Sequence, residues 1–281
     1  MEHFRHVNNI VLHYLDHKGN DPTIVLLPGL TANANEFDGL IKAGLSPRFR
    51  VLALDLRGRG QTEKPATGYS MADHAADVLG LLELLGIQQV IMGGHSFGAL
   101  LTLYIAAHHP ERIRKMIIID GAAKLHPRVR ELIQPSLNRM GRVFASWDQY
   151  INIIKQNPAF HGWWDPTIES YYRADVQTNA DGTVQSRLYK EGILEATDKA
   201  LEEPYGEYVS RIDKPAILLN ALGAYGPEGT PPVLPYEQAQ ETVQAIKNCR
   251  YVEIPGNHIT MLFGDSAKIV VDTITQFVEE D

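Results

Sequence analysis

The stretch VIMGGHSFGALLTLYIAAHHP, residues 90–110, places a serine among glycines at the junction of two apolar runs. The first run, QVIMGG (89–94), is typical of a buried strand, and the second, ALLTLYIAAHHP (99–110), is apolar all round and ends at a proline, as a buried helix would. A strand that turns at once into a helix strains the residue between them and exposes its side chain. Ser96 is therefore predicted to be a nucleophile on a sharp turn; the alternative is an ordinary helix cap.

The segment Gly94-His95-Ser96-Phe97-Gly98 fits the pattern G-x-S-x-G. Glycine two positions on either side of the serine keeps the strand and the helix from colliding. The first N–H groups of the helix point at the same spot, where they favour negative charge. The strand–turn–helix context favours a nucleophile over a cap.

Short apolar runs alternate with helix-period stretches along most of the chain. Further runs typical of strands cover residues 9–16, 23–29, 50–60, 115–121, 215–223 and 250–256. Further helical spacing covers residues 71–86 and 266–280. Because continuously apolar strands are buried on both faces, the alternation predicts an α/β fold with a mostly parallel, doubly wound sheet. The alternation stops at 122–212, which predicts a helical cap inserted into a core of residues 1–121 and 213–281.

The composition of the 281 residues, 44% hydrophobic and 21% charged, is ordinary for a globular protein. A formal net charge of −8 argues against nucleic acid as a partner, because phosphates call for clustered Lys and Arg. No run approaches the ~18 apolar residues that span a bilayer, and the N-terminus lacks the apolar core of a signal peptide. These features, with a single cysteine at Cys249, predict a cytoplasmic protein with no membrane partner.

Motifs for nucleotide cofactors and metals are incomplete. Arg57-Gly58-Arg59-Gly60 begins like a dinucleotide fingerprint, but Glu63 stands where the third glycine belongs. The sequence has no P-loop and neither an H-E-x-x-H nor an H-x-H-x-D-H cluster. An enzyme without cofactor or metal is therefore predicted.

Four motifs resemble those of the α/β-hydrolase family, and the resemblance covers nearly the whole chain. LLPGLTANANEF is similar to the oxyanion-hole loop of the family, DLRGRGQTEKP to the turn after its fourth strand, GGHSFG to its nucleophile elbow, and PGNHITMLFGD to its histidine loop. Two positions depart from the family pattern. Pro28-Gly29 stands where His-Gly is usual, which removes a side chain that often braces the loop, and Thr62 stands near a usual serine.

The resemblance implies a triad of serine, histidine and an acid. A serine hydroxyl needs a general base, and the pKa of histidine lies near neutrality. Of 11 histidines, His258 alone follows a late strand in a Gly-Asn-His turn, and it matches the family position. The oxyanion hole is predicted from the backbone N–H groups of Leu30 and Phe97.

The acid has two candidates. The commonest family position is the loop after the strand that follows the cap, and here NALGAYGPEGTPPVLP holds only Glu228. Asp120, at the end of IIIDG, occupies a position from which some α/β hydrolases take their acid, among them certain dehalogenases and an amide hydrolase of the pyridoxine pathway. Asp120 is predicted because a short side chain at the end of a buried strand is rigidly placed, whereas Glu228 lies among glycines and prolines. In the alternative, Asp120 caps the next segment and Glu228 is the acid of the triad.

The function predicted from these features is cofactor-free hydrolysis of carboxylic esters through an acyl-enzyme. The aromatic and aliphatic cap predicts an apolar acyl group or a small aromatic ester, with Trp147 and Leu125 in the substrate pocket. Lactones, including acyl-homoserine lactones, are further candidate substrates because a lactone is a cyclic ester. Serine at the elbow disfavours dehalogenase and epoxide hydrolase chemistry, which in this family uses aspartate.

Two alternatives stay open at the level of sequence. The triad alone does not separate esters from amides or from C–C bonds beside a carbonyl. Some relatives of the family are receptors or signalling proteins that keep the triad, and slow turnover with a partner-dependent movement of the cap distinguishes them from enzymes.

Overall fold

The computed structural model describes residues 1–280. Its strands are β1 (Glu2–Val7), β2 (Ile10–His17), β3 (Asn20–Leu27), β4 (Phe49–Leu54), β5 (Val90–His95), β6 (Ile113–Ile119), β7 (Val143–Phe144), β8 (Val176–Thr178), β9 (Val184–Ser186), β10 (Ala216–Asn220) and β11 (Cys249–Glu253). Its α-helices are α1 (Asp38–Lys42), α2 (Leu45–Arg48), α3 (Met71–Leu84), α4 (Phe97–His108), α5 (Val129–Leu132), α6 (Gln134–Leu137), α7 (Trp147–Lys155), α8 (Pro166–Asp175), α9 (Lys190–Glu202), α10 (Tyr205–Val209), α11 (Tyr236–Ala245) and α12 (Gly264–Glu279). Short 3₁₀ turns cover Ala34–Phe37, Pro110–Arg112, Pro158–Phe160 and Thr260–Leu262.

The central sheet of the described chain has the order β1-β2-β4-β3-β5-β6-β10-β11. The six strands from β4 to β11 in this order pair in parallel, and β1 and β2 add an antiparallel edge. This arrangement confirms the mostly parallel sheet predicted from the apolar runs. The first strand was not predicted; it joins β2 through Asn8 and Asn9, which both have positive φ, as the tight turns of hairpins require.

Apolar side chains bury both faces of this sheet. Ile118 of β6 belongs to one core cluster, with α3 and α4, whereas its neighbours Ile117 and Ile119 belong to a second cluster, with α1 and α12. Because successive side chains of a strand point to opposite faces, the two clusters lie on the two sides of the sheet. The strands are therefore continuously apolar because both of their faces are buried, as predicted.

The chain between β6 and β10 forms the helices α5 to α10 and a small antiparallel sheet of order β7-β9-β8. The sequence pattern predicted a mostly helical segment in this region. The three extra strands have only two or three residues each, too few for a periodicity of two to be detected. The exact division into core and cap stays a prediction.

The parallel strands end at one edge of the sheet. Leu27 at the end of β3 pairs with Gly94, and His95 at the end of β5 pairs with Ile119. In open α/β sheets, sites lie beyond these carboxyl ends. Within residues 1–280, no helix is both long and apolar enough to cross a membrane.

Candidate active site

Ser96 occupies a strained turn between β5 and α4. Its φ of 53° and ψ of −112° are rare for a residue with a side chain, and its hydroxyl makes no capping hydrogen bond to α4. A Cβ on Gly94 would overlap the carbonyl of Gly98, and a Cβ on Gly98 would overlap the carbonyl of Leu27. The glycines therefore allow the predicted close approach of strand and helix, and the Ser96 side chain does not cap the helix that it precedes.

His258 and Asp120 are joined by a short hydrogen bond. The distance from His258 Nδ1 to Asp120 Oδ2 is 2.6 Å, and both side chains are buried. Because an ionised carboxylate only accepts hydrogen bonds, His258 Nδ1 carries the proton that it donates to Asp120. Nε2 is therefore left as an acceptor. His258 lines the same cavity as Ser96. The Ser96 hydroxyl makes no hydrogen bond among the described residues.

The second oxygen of Asp120 is held by two donors. Oδ1 accepts the Ala221 N–H at 2.9 Å and the Asn220 Nδ2 amide at 2.8 Å. Asn220 is positioned in turn, because its Nδ2 donates to Leu234 O at 3.0 Å and its Oδ1 accepts the Tyr251 hydroxyl at 3.1 Å. The carboxylate is therefore fixed in the orientation that meets His258.

Glu228, the alternative acid, lies elsewhere. It is exposed, and it lines a separate surface cavity with residues 226–231 and Arg128. The hydrogen bond of the His258 ring to a carboxylate goes to Asp120. The structure therefore brings His258 together with Asp120 and leaves Glu228 apart.

One buried arginine, Arg59, contacts both residues that carry the predicted oxyanion donors. The backbone N–H groups of Leu30 and Phe97 donate to no other group within residues 1–280, and both residues line a cavity with Ser96. Arg59 Nε donates to Leu30 O at 3.0 Å, and its guanidinium lies 4.9 Å from the centre of the Phe97 ring. Arg59 thereby fixes both segments that carry these amides.

A buried pair of Glu36 and His95 connects the oxyanion loop to the His258 loop. Glu36 Oε2 accepts the Gly29 N–H at 2.9 Å, and Glu36 Oε1 lies 3.0 Å from His95 Nδ1. His95 Nε2 lies 2.7 Å from His258 O. The family's usual brace is absent at Pro28, and Glu36 supplies a different one.

This pair also affects the charge state of His258. Burial lowers the pKa of His95, but the charge and the hydrogen bond of Glu36 outweigh it, so that the pKa lies above its usual value. The pKa of His258 is lowered, first by burial and next by the charge of His95, while Asp120 opposes both. The two rings lie 4.5 Å apart between centroids. The two shifts together favour an unprotonated His258 beside a protonated His95.

Two cavities meet at Ser96, and Leu30 and Ile133 line both of them. One is mainly apolar, and it is lined by Leu125, which the sequence analysis assigned to the substrate pocket. The other is lined by polar groups, among them Arg139, Tyr171, Tyr172 and Tyr225.

Trp147, also predicted in the pocket, lines neither of these cavities. Its ring packs 5.9 Å from Tyr150 and lies under the guanidinium of Arg173, at 4.8 Å. These contacts keep the indole within the cap, and an aromatic residue type alone did not indicate which face it occupies.

Asp55 and Arg57, which follow β4 near the site, bind separate partners. Asp55 lies 2.7 Å from His13 Nδ1 and accepts the Ala34 N–H, while Arg57 binds Asp77 at 2.6 Å. Both residues are therefore structural: Asp55 is hydrogen-bonded to His13, and Arg57 forms an ion pair with Asp77.

The sequence pattern did not indicate Glu36, Asn220 or Arg139, or a role for His95. Asn220 had a signal, since a polar residue that ends an apolar strand lies at the site edge of the sheet. No sequence signal marked Glu36 or Arg139, because their partners lie far away in the chain.

The family model described as alpha/beta hydrolase fold matches residues 22–265. A 2-(acetamidomethylene)succinate hydrolase of Mesorhizobium japonicum is 33% identical over 127 residues, covering 45% of this chain and 45% of the relative. A 2-hydroxymuconate semialdehyde hydrolase of Pseudomonas putida is 39% identical over 100 residues, covering 34% of this chain and 36% of the relative. The chain thus spans less than half the length of the curated relatives it matches.

Solved structures are similar over the whole chain. A crystal structure of E-2-(acetamidomethylene)succinate hydrolase has a TM-score of 0.86 at 21% identity, covering 100% of this chain and 99% of that one, which shows the fold alone. The enol-lactonase from Burkholderia xenovorans LB400 has a TM-score of 0.74 at 25% identity, covering 99% of this chain and 100% of that one. Since the family model covers most of the sequence, the chain belongs to the alpha/beta hydrolase fold family.

Proposed function

We propose that this protein is a cofactor-free serine hydrolase that cleaves small carboxylic esters, with Ser96 as nucleophile, His258 as general base and Asp120 as the acid that orients it. One observation carries the proposal. Ser96, on a strained turn, shares a cavity with His258, whose Nδ1 is held 2.6 Å from Asp120.

The acylation step follows from this geometry. Ser96 Oγ attacks the carbonyl carbon of the ester while His258 Nε2 takes the hydroxyl proton. Negative charge moves to the carbonyl oxygen, where the N–H groups of Leu30 and Phe97 stabilise it. The C–O bond then breaks, and the departing alcohol takes the proton from His258. Asp120 stabilises the imidazolium throughout.

Deacylation repeats the cycle with water. His258 Nε2 accepts a proton from water, whose oxygen attacks the acyl-enzyme carbonyl. The ester bond to Ser96 breaks, the serine regains its proton from His258, and a carboxylic acid leaves. The lowered pKa of His258 keeps the base unprotonated down to a lower pH than usual.

A second candidate is hydrolysis of an amide, of a C–C bond beside a carbonyl, or of a lactone. The names of the relatives, 2-(acetamidomethylene)succinate hydrolase, 2-hydroxymuconate semialdehyde hydrolase and enol-lactonase, support it. The same nucleophile, base and oxyanion donors serve each of these reactions, since each places negative charge on a carbonyl oxygen.

The test is hydrolysis of 4-nitrophenyl butanoate, a homoserine lactone and an anilide by the wild type and by Ser96→Ala. We expect multiple turnovers of the ester and a loss on the order of 10⁶-fold in kcat for the variant. Ser210→Ala, which alters an exposed serine outside the site, is the matched control. Activity of Ser96→Ala near that of the wild type would end the proposal, and a wild type that turns over none of the three would favour a receptor.

A further inference from the structure

The two cavities at Ser96 differ in chemistry. The apolar cavity is walled by Phe97, Leu100, Ala122, Leu125, Val233 and Leu234. The guanidinium at its rim, Arg130, is exposed and already paired with Asp198 at 2.7 Å. The polar cavity is walled by Thr31, Ser136, Arg139, Tyr171, Tyr172 and Tyr225. A substrate whose reacting carbonyl lies at Ser96 therefore meets apolar surface on one side and polar groups on the other.

Arg139 of the polar cavity is held rigidly yet keeps free donor capacity. Its Nε donates to Asp175 at 3.2 Å, and its Nη2 donates to Thr31 O at 2.7 Å. Its Nη1 donates to no residue of the described chain. Asp175 is buried and also accepts the Tyr150 hydroxyl at 2.6 Å. The guanidinium is thus preorganised, with one nitrogen left for a ligand.

Two tyrosines add donors beside this guanidinium. The ring of Tyr172 lies 5.8 Å from the Arg139 guanidinium, and the ring of Tyr171 lies 4.6 Å from that of Tyr172. Within residues 1–280, neither hydroxyl makes a hydrogen bond, and each oxygen keeps some accessible surface although the two residues are at least nine-tenths buried. Both residues line the polar cavity, so that these hydroxyls are available to donate to a ligand bound there.

The carboxylates near this cavity are already engaged. Both oxygens of Glu36 are used, by Gly29 and His95, and Asp175 is used by Arg139 and Tyr150. The cavity therefore presents an unused guanidinium nitrogen and phenol hydroxyls, with no unpaired carboxylate among these groups to repel an anion. A carboxylate is the small ligand that accepts several such hydrogen bonds at once.

We propose that the substrate carries a carboxylate on one side of the scissile bond and an apolar group on the other, and that Arg139, Tyr171 and Tyr172 hold the carboxylate. This inference rests on the proposed function, since it takes Ser96 as the nucleophile, and it names the substrate class. It replaces the neutral apolar ester expected from the composition of the cap.

Two pairs of esters test the inference, each comparing a carboxylate with its methyl ester. In the first pair the carboxylate is in the acyl group: mono-4-nitrophenyl glutarate against 4-nitrophenyl methyl glutarate. In the second pair it is in the leaving group: 3-(butanoyloxy)benzoate against its methyl ester. We expect the carboxylate member to have a kcat/KM higher on the order of 10- to 100-fold in one pair. Equal values within both pairs would overturn the proposal.

Arg139→Gln should abolish this preference, mainly through KM, and Tyr171→Phe should reduce it. Arg128→Gln, an exposed arginine of the cap outside both cavities, is the matched control and should leave it unchanged. If Arg139→Gln fails to fold, Tyr171→Phe and competitive inhibition of wild type by glutarate, compared with glutaramide, decide the matter. A preference that survives in both variants, or equal inhibition by the two compounds, contradicts the proposal.

Failure of this inference is distinct from failure of the proposed function. If the methyl esters are hydrolysed and Ser96→Ala abolishes that hydrolysis, the serine hydrolase stands whatever the carboxylate preference. If the methyl esters and the carboxylates are both left intact by the wild type, the proposed function fails first.

Discussion

Glu36 and His95 form a fully buried ion pair, with 3.0 Å between Oε1 and Nδ1, directly beneath the loop that carries His258. Glu36 also binds the Gly29 amide, and His95 contacts His258 O. This pair, whose members are 59 positions apart in sequence, thereby connects the oxyanion loop to the His258 loop. A cationic His95 disfavours a second positive charge on His258. The pair consequently has an electrostatic role as well as a structural one.

Replacing His95 with glutamine should raise the pKa of His258. The substitution removes the cation that lowers this pKa and leaves the Glu36 carboxylate, which raises it. Because only unprotonated His258 accepts the serine proton, the acidic limb of the kcat/KM profile should move to higher pH. The profile is measured on a neutral ester, with His161→Gln, an exposed histidine of the cap, as control. A limb that stays in place or moves to lower pH contradicts the electrostatic role.

Asp120→Asn should lower kcat by on the order of 10⁴-fold, because an amide does not stabilise the imidazolium and favours the wrong tautomer. Glu228→Gln should change kcat less than about twofold, since an exposed loop residue away from His258 has no part in the step. Steady-state kinetics of the two variants on one ester compare the acids directly. The opposite ranking would give the role to Glu228.

Asn220→Ala should reduce kcat by on the order of 10- to 100-fold without changing the stereochemical fit of the substrate. The substitution removes one of the two hydrogen bonds that hold Asp120 Oδ1. Asn152→Ala, on the exposed face of α7, is a matched control. Unaltered kcat in Asn220→Ala would show that the Ala221 amide suffices to orient Asp120.

The three predicted triad residues are encoded by local features of the sequence. Ser96 and Asp120 directly follow buried apolar strands, and parallel strands bring such ends to one edge. His258 follows β11 within a short turn at the same edge. Apolar runs and glycine spacing encode these positions within a few residues, which is why a linear pattern predicts them.

The features that the sequence did not predict depend on contacts across the chain. Glu36 meets His95 only because the oxyanion loop folds against the elbow, and Arg139 meets Thr31 across 108 positions. Such polar contacts require tertiary packing, and they leave no periodic pattern in the sequence.

Helix α11 was not predicted either. Few of its residues are buried, and its apolar stripe is weak.

Gly98→Ala should lower the free energy of unfolding by about 3 kcal/mol or more, or prevent folding, because the added Cβ would overlap the carbonyl of Leu27 and backbone cannot easily move aside. Gly206→Ala is the matched control. This glycine lies exposed in α10 with no atom near the added methyl, so that the variant should gain about 0.5–1 kcal/mol from helix propensity. Urea denaturation measures both. A Gly98→Ala protein as stable as the wild type would mean that the strand and helix at Ser96 are not as closely packed as the elbow requires.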